Sequence, residues 1–276
     1  MCSIFKYGNV VGRNFDYEVS YQEELRVVER GEFDNDYKVI GMCTGLVKDY
    51  PLFYDGKNEY GLVCGGLAFT GNAVYNKSTG SLGDVPSWNF VLEILGNCSS
   101  VEDAMSFLDF ANITDEAYSE SMPPSDLHWF IADGDKSIIV EQTVSGLHYY
   151  YDDVMTNNPL YRVQKGLSRF ITSSIGTFQK PNISRGEETL GLHGDYTSTG
   201  RFARLSWLKD KLESSENGFN PVSQGFHLLS SVEQVYGITQ VADKFEYTIY
   251  SVVYDMDAKS VLLKMYDDLD IKEYEL

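Results

Sequence analysis

Cysteine, positive charge and long apolar runs are all scarce in this sequence. The four cysteines, at positions 2, 43, 64 and 98, are too few for a disulfide scaffold and lack the paired CxxC spacing of a structural zinc site. No run of about 18 consecutive apolar residues is present, so no transmembrane helix is expected. The first fifteen residues lack the apolar stretch of a signal peptide. We therefore expect a cytoplasmic protein with no membrane partner.

The excess of acidic over basic residues excludes a further class of partner. There are 22 Lys and Arg residues against 41 Asp and Glu residues, a net charge of -19. Such a field repels phosphate backbones, so a nucleic acid partner is not expected. The four histidines show no HExxH or other metal spacing, and no metal or cofactor is expected. His128 lies in a predicted strand, where a core histidine with satisfied hydrogen bonds is expected rather than a catalytic base.

The apolar periodicity groups strands with strands and helices with helices. This grouping departs from the alternating order of a doubly wound sheet and favours antiparallel sheets layered with helices. No linker interrupts the chain, so one domain of residues 1–276 is expected. A hairpin is predicted at residues 2–14, around Tyr7-Gly8-Asn9. The other predicted strands are Leu25–Glu29, Tyr37–Met42, Tyr60–Phe69, Leu127–Ala132, Ser137–Glu141, Leu147–Tyr151, Glu246–Tyr254 and Ser260–Tyr266. The predicted helices are Ser87–Leu95, Val101–Ala111, Leu160–Thr172, Arg201–Leu212 and Pro221–Leu229.

Cys2 differs from the other cysteines because it follows the initiator methionine. Removal of Met1 leaves a thiol and a free α-amine on one residue. A free thiol has a pKa of about 8.5 and an α-amine one of about 7.7–8.0, so the amine can accept the thiol proton without a histidine. Across the predicted hairpin lie Arg13, whose charge would stabilise a thiolate, and Asp16, whose carboxylate would orient the amine. Read alone, these two residues are also compatible with a common surface ion pair.

Several blocks of sequence, in order along nearly the whole chain, resemble the choloylglycine hydrolase family. This family of N-terminal nucleophile amidases includes bile salt hydrolases and penicillin V acylases. The blocks are Met-Cys at the start, Gly-Arg-Asn-Phe-Asp-Tyr at 12–17, Asp-Tyr-Pro at 49–51, Leu-His-Trp at 127–129, Val-Glu-Gln-Thr at 140–143, Thr-Asn-Asn-Pro at 156–159 and Gly-Asp-Tyr-Thr at 194–197, continuing to Arg204. The resemblance implies an α+β fold, the αββα four-layer sandwich of two antiparallel sheets flanked by helices.

The resemblance also implies a catalytic set. Cys2 would be the nucleophile and, through its amine, the base, with Arg13 and Asp16 beside it. Asn157 would donate its side-chain amide to the oxyanion, together with the backbone N–H of residue 68, and Arg201 would complete the charged cluster. The residues placed in the acyl-binding pocket are Phe15, Tyr54, Ala68, Tyr118, Met122 and Leu127. Such a wall fits a small-molecule N-acyl amide with a bulky apolar acyl group.

One position departs from the family pattern. Ala68 stands where bile salt hydrolases usually carry asparagine and penicillin V acylases usually carry tyrosine. Alanine keeps the backbone N–H that the oxyanion needs, but it removes the substrate contacts of the larger side chain. Ala68 therefore leaves the choice of substrate open within the family.

The resemblance predicts hydrolysis of a linear amide bond, with conjugated bile salts as the first choice of substrate. Penicillin V is the runner-up, followed by acyl-homoserine lactones and other N-acyl amino acids. A catalytically inactive acidic binding protein with the same fold is the alternative from another class. A Ser–His–Asp hydrolase is a further rival, but the sequence lacks its Gly-x-Ser-x-Gly elbow. The resemblance also implies a homo-oligomer, a tetramer or a dimer, with residues 174–195 as the assembly segment.

The N-terminus gives the first testable prediction. We expect the purified protein to lack Met1, because Cys2 cannot supply an α-amine while its nitrogen belongs to a peptide bond. Intact mass spectrometry measures this directly. A mass that still includes Met1, in a preparation that hydrolyses its substrate at full rate, would rule out the Cys2 amine as the base.

Overall fold

The structure is a computed structural model that describes residues 1–176, 185–215 and 218–276. The predicted assembly segment, residues 174–195, therefore lies partly outside the described residues. The strands are β1 Ser3–Tyr7, β2 Val10–Tyr17, β3 Glu24–Val28, β4 Val39–Cys43, β5 Phe53–Asn58, β6 Val63–Ala68, β7 Asp84–Pro86, β8 Asn112–Thr114, β9 Leu127–Ala132, β10 Ser137–Thr143, β11 Gly146–Tyr151, β12 Val154–Met155, β13 Thr239–Val241, β14 Lys244–Asp255, β15 Ser260–Met265 and β16 Asp268–Glu275. The α-helices are α1 Phe90–Asn97, α2 Val101–Leu108, α3 Tyr161–Thr172, α4 Ser198–Glu213 and α5 Pro221–Ser230. A 3₁₀ helix spans Glu187–Thr189.

Two antiparallel sheets of seven strands each form the centre of the molecule. The first sheet has the order β12-β1-β2-β14-β15-β16, with β13 paired to β14. The second has the order β11-β10-β9-β6-β5-β4-β3. The chain start therefore pairs with a strand near the chain end, because β2 lies between β1 and β14. This pairing puts the N-terminal hairpin in the middle of the first sheet.

Three apolar layers hold the sheets and helices together. Side chains such as Ile4, Phe130 and Val252 fill the layer between the two sheets. A second layer packs α1 and α2 on the outer face of the second sheet, and a third packs α4 and α5 on the outer face of the first. α3 lies beside α4. The order of layers is helix, sheet, sheet, helix, so the predicted αββα sandwich is confirmed.

Most predicted elements are present, with shifted ends. The predicted strand at Tyr60–Phe69 begins only at Val63, because Gly61 has a φ of 86° and turns the chain before it. The predicted helix at Arg201–Leu212 begins earlier, at Ser198, where the Thr197 side chain accepts a hydrogen bond from the Gly200 N–H. At the start of α2, the Ser100 side chain accepts a hydrogen bond from the Asp103 N–H. The pattern missed β5, β7, β8, β12, β13 and β16. Among the described residues, no helix is long and apolar enough to cross a bilayer.

Two glycines allow β4 and β5 to approach closely. Gly41 and Gly56 lie opposite each other in the ladder. A Cβ added to Gly41 would stand 2.7 Å from the Gly56 Cα and would also clash with the backbone oxygen of Asp55. Because both contacts are with backbone atoms, no side-chain rotation relieves them. The sheet at this point depends on the absence of a side chain.

This close approach predicts the effect of a single methyl group. Gly41→Ala should lower the free energy of unfolding by about 1–3 kcal/mol, the usual cost of overpacking. Gly134→Ala is the matched control, since a Cβ at Gly134 meets no atom within 4 Å. Urea unfolding of both variants measures the difference. Equal midpoints for the two variants would contradict the prediction.

Candidate active site

Cys2 lies at the start of the N-terminal hairpin and is almost fully buried, with 5% of its surface exposed. Its backbone N–H donates to Asn157 Oδ1 at 2.6 Å, and its Sγ lies 3.8 Å from the backbone oxygen of Asp16. β1 pairs with β2, so the strand that carries Arg13 and Asp16 runs directly beside Cys2. The hairpin thus brings Arg13 and Asp16, the two residues that the sequence placed around the thiol, next to Cys2.

Arg13 joins the two sheets at this point. Its guanidinium forms an ion pair with Asp55 of the second sheet, and Nη2 donates to the backbone oxygen of Gly66 at 2.8 Å. Both members of the pair are fully buried. Removing one of two such charges leaves the other desolvated and unpaired, which is costly. The pair therefore fixes the depth at which Arg13 lies beneath Cys2.

Two tyrosines complete the surroundings of this ion pair. The Tyr250 hydroxyl donates to Asp55 Oδ2 at 2.5 Å and accepts from Arg13 Nη1 at 3.1 Å, and the Tyr254 hydroxyl donates to the other Asp55 oxygen. Burial works against the charge on Arg13, but its interactions with Tyr250 and with the Cys2 thiol outweigh it and raise the pKa of Arg13. Arg13 therefore carries a permanent positive charge next to the thiol.

Asp16 and Arg201 lie on the other side of Cys2. The Asp16 carboxylate accepts from the Thr248 hydroxyl at 2.6 Å and from Gln234 Nε2 at 2.9 Å. Arg201 Nη1 lies 3.9 Å from Asp16 Oδ2 and donates to the Cys2 backbone oxygen at 2.6 Å. Burial lowers the pKa of Arg201, although Asp16 and Cys2 oppose this shift. Arg201 therefore holds the Cys2 backbone from the side of α4, and Thr248 and Gln234 hold the Asp16 carboxylate next to it.

Asn157 connects this cluster to the second sheet. Its Oδ1 accepts from the Cys2 N–H and from Arg201 Nη2 at 3.1 Å, and its Nδ2 donates to the Ala68 backbone oxygen at 2.8 Å. The Phe69 N–H donates to the backbone oxygen of Asp126, the residue before β9, so the N–H and C=O of Ala68 point to the opposite edge of β6. The β5–β6 ladder ends at Asp55 and Gly65, which leaves this edge open. The Ala68 N–H therefore faces the same side as the Asn157 amide.

Met1 is held in the space next to this cluster. Its ammonium donates to the Asp16 backbone oxygen at 2.8 Å and forms an ion pair with the buried Glu246. Burial lowers the pKa of this ammonium, while Cys2 and Asp16 oppose the shift. With Met1 attached, the Cys2 nitrogen is an amide whose hydrogen goes to Asn157. The same nitrogen becomes the α-amine when Met1 is removed.

The predicted pocket residues fall into separate contact groups. The Phe15 ring lies 4.6 Å from Tyr54 and stacks 5.1 Å from Tyr250, and the Arg13 guanidinium lies over it. Ala68 pairs with Leu127 in the β6–β9 ladder. That the groups line one acyl pocket stays a prediction.

Tyr118 and Met122 belong to the chain between β8 and β9. The Tyr118 ring lies 5.2 Å from Trp88 and 6.4 Å from Tyr50. Met122 exchanges backbone hydrogen bonds with Ser119. A cavity of about 390 Å³ lies elsewhere, between β10 and α4, and is lined by Lys165, Lys209 and Asp152 among others.

The remaining cysteines have the environment of core residues. All three are buried, and burial raises the pKa of Cys43 to about 11 and that of Cys98 to about 12. Burial also raises the pKa of Cys64 well above its ordinary value. These thiols stay protonated at neutral pH and are poor nucleophiles. Within the described ranges, no group of three or more His, Cys, Asp or Glu side chains is arranged to hold a metal ion.

The whole chain can be compared with known proteins. Residues 3–276 match the family described as linear amide C-N hydrolases, choloylglycine hydrolase family. The chain belongs to the choloylglycine hydrolase family. It is 37% identical over 291 residues to a bile salt hydrolase/transferase of Lactiplantibacillus plantarum, and the match covers 98% of this chain and 90% of the relative. A bile salt hydrolase/transferase of Clostridium perfringens is 34% identical over 269 residues, 88% of this chain and 81% of the relative.

Solved structures agree with this assignment. The C2A mutant of a conjugated bile acid hydrolase from Clostridium perfringens superposes with a TM-score of 0.90 at 28% identity, over 100% of this chain and 92% of the other. A penicillin V acylase from Agrobacterium tumefaciens shares the fold, with a TM-score of 0.77 at 20% identity, over 100% of this chain and 86% of the other. The chain is an amide hydrolase of this family, and the predicted family and fold class are confirmed.

Sequence reasoning gave no role to several residues of the site. Asp55, Tyr250 and Tyr254 surround the Arg13 guanidinium, and Gln234 and Thr248 orient Asp16. The contact of Asp55 with Arg13 crosses from one sheet to the other, so no local pattern of the sequence indicates it.

The Arg13–Asp55 pair yields a stability prediction. Asp55→Asn should lower the free energy of unfolding by about 3–5 kcal/mol, because the buried Arg13 charge loses its counter-charge. Asp115→Asn is the matched control. Asp115 pairs with the largely exposed Lys77, whose ammonium is solvated by water when the carboxylate is removed. Chemical unfolding of both variants measures the difference. A shift for Asp55→Asn no larger than that of the control would contradict the prediction.

Proposed function

We propose that this amide hydrolase cleaves conjugated bile salts, releasing the free bile acid and glycine or taurine, with Cys2 as its nucleophile. The observation that carries the proposal is the convergence of Cys2, Arg13, Asp16, Asn157 and Arg201 on one buried cluster in a chain of this family. The names of the two relatives, 37% and 34% identical, support the substrate.

The first step requires the loss of Met1. The free Cys2 amine then takes the thiol proton, and Arg13 stabilises the resulting thiolate by its charge. The amine takes the position of the present Cys2 N–H, within hydrogen-bond distance of Asn157 Oδ1. Arg201 holds the Cys2 carbonyl, so the residue stays oriented while its amine is free.

The second step is attack of the thiolate sulfur on the amide carbonyl carbon. The carbonyl oxygen takes up the negative charge and is stabilised by Asn157 Nδ2 and the Ala68 N–H. One hydrogen of Nδ2 goes to the Ala68 oxygen, and the second serves the oxyanion. When the C–N bond breaks, the Cys2 ammonium returns its proton to the leaving nitrogen.

The last step releases the acid. The free Cys2 amine takes a proton from a water molecule, which attacks the thioester carbonyl. The C–S bond breaks, the carboxylic acid leaves, and the proton returns to the sulfur. Every proton transfer in the cycle uses the one amine.

We also propose which residues bind the apolar acyl group of the substrate. Phe15 and Tyr54 would form one wall of the acyl pocket, with Ala68, Leu127, Tyr118 and Met122 opposite. Alanine at position 68 leaves more room beside the scissile bond than asparagine does. A homo-oligomeric state, tetramer or dimer, is also proposed from likeness to the family. A cytoplasmic location is proposed because the sequence has neither the apolar stretch of a signal peptide nor a long apolar run.

The substrate assignment is tested with two amides in parallel. Purified protein should release cholate and glycine from glycocholate, and liquid chromatography measures both products. Release of phenoxyacetate from penicillin V, with glycocholate intact, would replace the first choice with the second. Hydrolysis of neither amide by protein shown to lack Met1 would exclude both choices and leave the other N-acyl amides or the inactive binding protein.

The same assay tests the nucleophile. Cys2→Ala should abolish the release of cholate, while Cys43→Ala, which removes an equally buried thiol from the core, should retain it. Comparable activity in the two variants would exclude Cys2 as the nucleophile.

A further inference from the structure

A buried pair of ionisable side chains lies behind the proposed oxyanion site. His128 and Glu141 are both about 99% buried, and His128 Nδ1 is 3.7 Å from Glu141 Oε1. This distance is too long for a hydrogen bond, and neither ring nitrogen of His128 has a partner among the residues that the structure describes. The sequence predicted a core histidine with satisfied hydrogen bonds. The burial is confirmed, and the satisfied hydrogen bonds are not found.

Glu141 holds the segment that carries Asn157. Its Oε1 accepts from the Tyr161 N–H at 2.8 Å, at the first turn of α3. The N-cap residue of α3, Leu160, offers no side-chain acceptor, so a carboxylate from β10 takes the place of the cap. Tyr161 follows Asn157 by only four residues. Movement of the start of α3 therefore reaches Asn157 directly.

His128 holds the segment that carries Ala68. Its ring stacks on Phe69, with centroids 4.3 Å apart and planes 10° from parallel. Phe69 is the residue after Ala68, and its own N–H bonds to the Asp126 oxygen. Burial lowers the pKa of His128, while Glu141 and the Thr156 backbone oppose the shift. His128 thus contacts the residue that follows Ala68 and faces the carboxylate that holds the start of α3.

We propose that Glu141 and His128 are positioning residues that set the separation of the Asn157 amide and the Ala68 N–H. Neither touches the reacting atoms. Glu141 fixes the Asn157 amide through the start of α3, and His128 fixes the Ala68 N–H through Phe69. The two side chains face each other, with His128 Nδ1 3.7 Å from Glu141 Oε1. The inference rests on the proposed function of Asn157 and Ala68 as oxyanion donors.

The kinetic test uses two substitutions of one residue. Glu141→Ala removes the acceptor for the Tyr161 N–H, and kcat on glycocholate should fall about 100-fold, the cost of misplacing a group by about 1 Å. KM should stay near its wild-type value, because the lost interaction acts in the transition state. Glu141→Gln keeps an acceptor oxygen and should recover most of kcat. Unchanged kcat in Glu141→Ala would overturn the inference.

Two controls separate positioning from general damage. The rate of Cys2 alkylation by iodoacetamide should be the same in Glu141→Ala and in the wild type, because alkylation needs the thiolate and not the oxyanion donors. Asp152→Ala removes other tethers of α3, to the Tyr161 hydroxyl and Lys165, and should leave kcat unchanged. Parallel loss of kcat and alkylation, or equal loss in Asp152→Ala, would mean that Glu141 is only structural.

A crystallographic measurement does not depend on the substrate. In Glu141→Ala, Asn157 Nδ2 should move away from the Ala68 oxygen, to which it donates at 2.8 Å. An unmoved Asn157 would overturn the inference even if glycocholate is hydrolysed. A displaced Asn157 in a protein that hydrolyses neither amide would support the positioning role and reject the proposed function.

Discussion

The buried Arg13–Asp55 ion pair is the interaction on which the rest of the site depends. It links the N-terminal hairpin of one sheet to β5 of the other, in the layer that also holds the apolar side chains of Ile4 and Val252. Two tyrosines of β14 supply the hydrogen bonds that make such a buried pair tolerable. Cys2 lies at the start of the hairpin that this pair attaches to the second sheet. The position of its thiol therefore depends on how the two sheets pack against each other.

The donors around Cys2 come from parts of the chain that are distant in sequence but adjacent in the fold. Asn157 follows the short strand β12, Ala68 ends β6, and Arg201 lies in the first turn of α4. Splaying of β5 from β6 opens the edge at which they meet. The proposed catalytic set would be only as accurate as the layers that carry it, so residues outside the site that support those layers would affect it.

The sequence predicted the hairpin, the layer order and the central cluster, because these depend on local pattern and on the order of blocks along the chain. It missed β5, whose Asp55, Lys57 and Asn58 are buried although they are polar. Their partners lie in other elements, and no local periodicity reports them. It also missed β16, whose apolar residues Leu269 and Ile271 are exposed and whose other residues, apart from Tyr274, are charged. The sequence of a single strand does not show which distant residue pairs with a buried charge, so such pairs could not be predicted.

The contacts of Met1 bear on how the protein matures. The Cys2 carbonyl, its side chain and its nitrogen already have their neighbours in Arg201, Asp16 and Asn157 while Met1 is present. The predicted excision of Met1 therefore leaves these contacts of Cys2 in place. The Met1 ammonium is itself paired with the buried Glu246, so the excision has to break this contact or precede it.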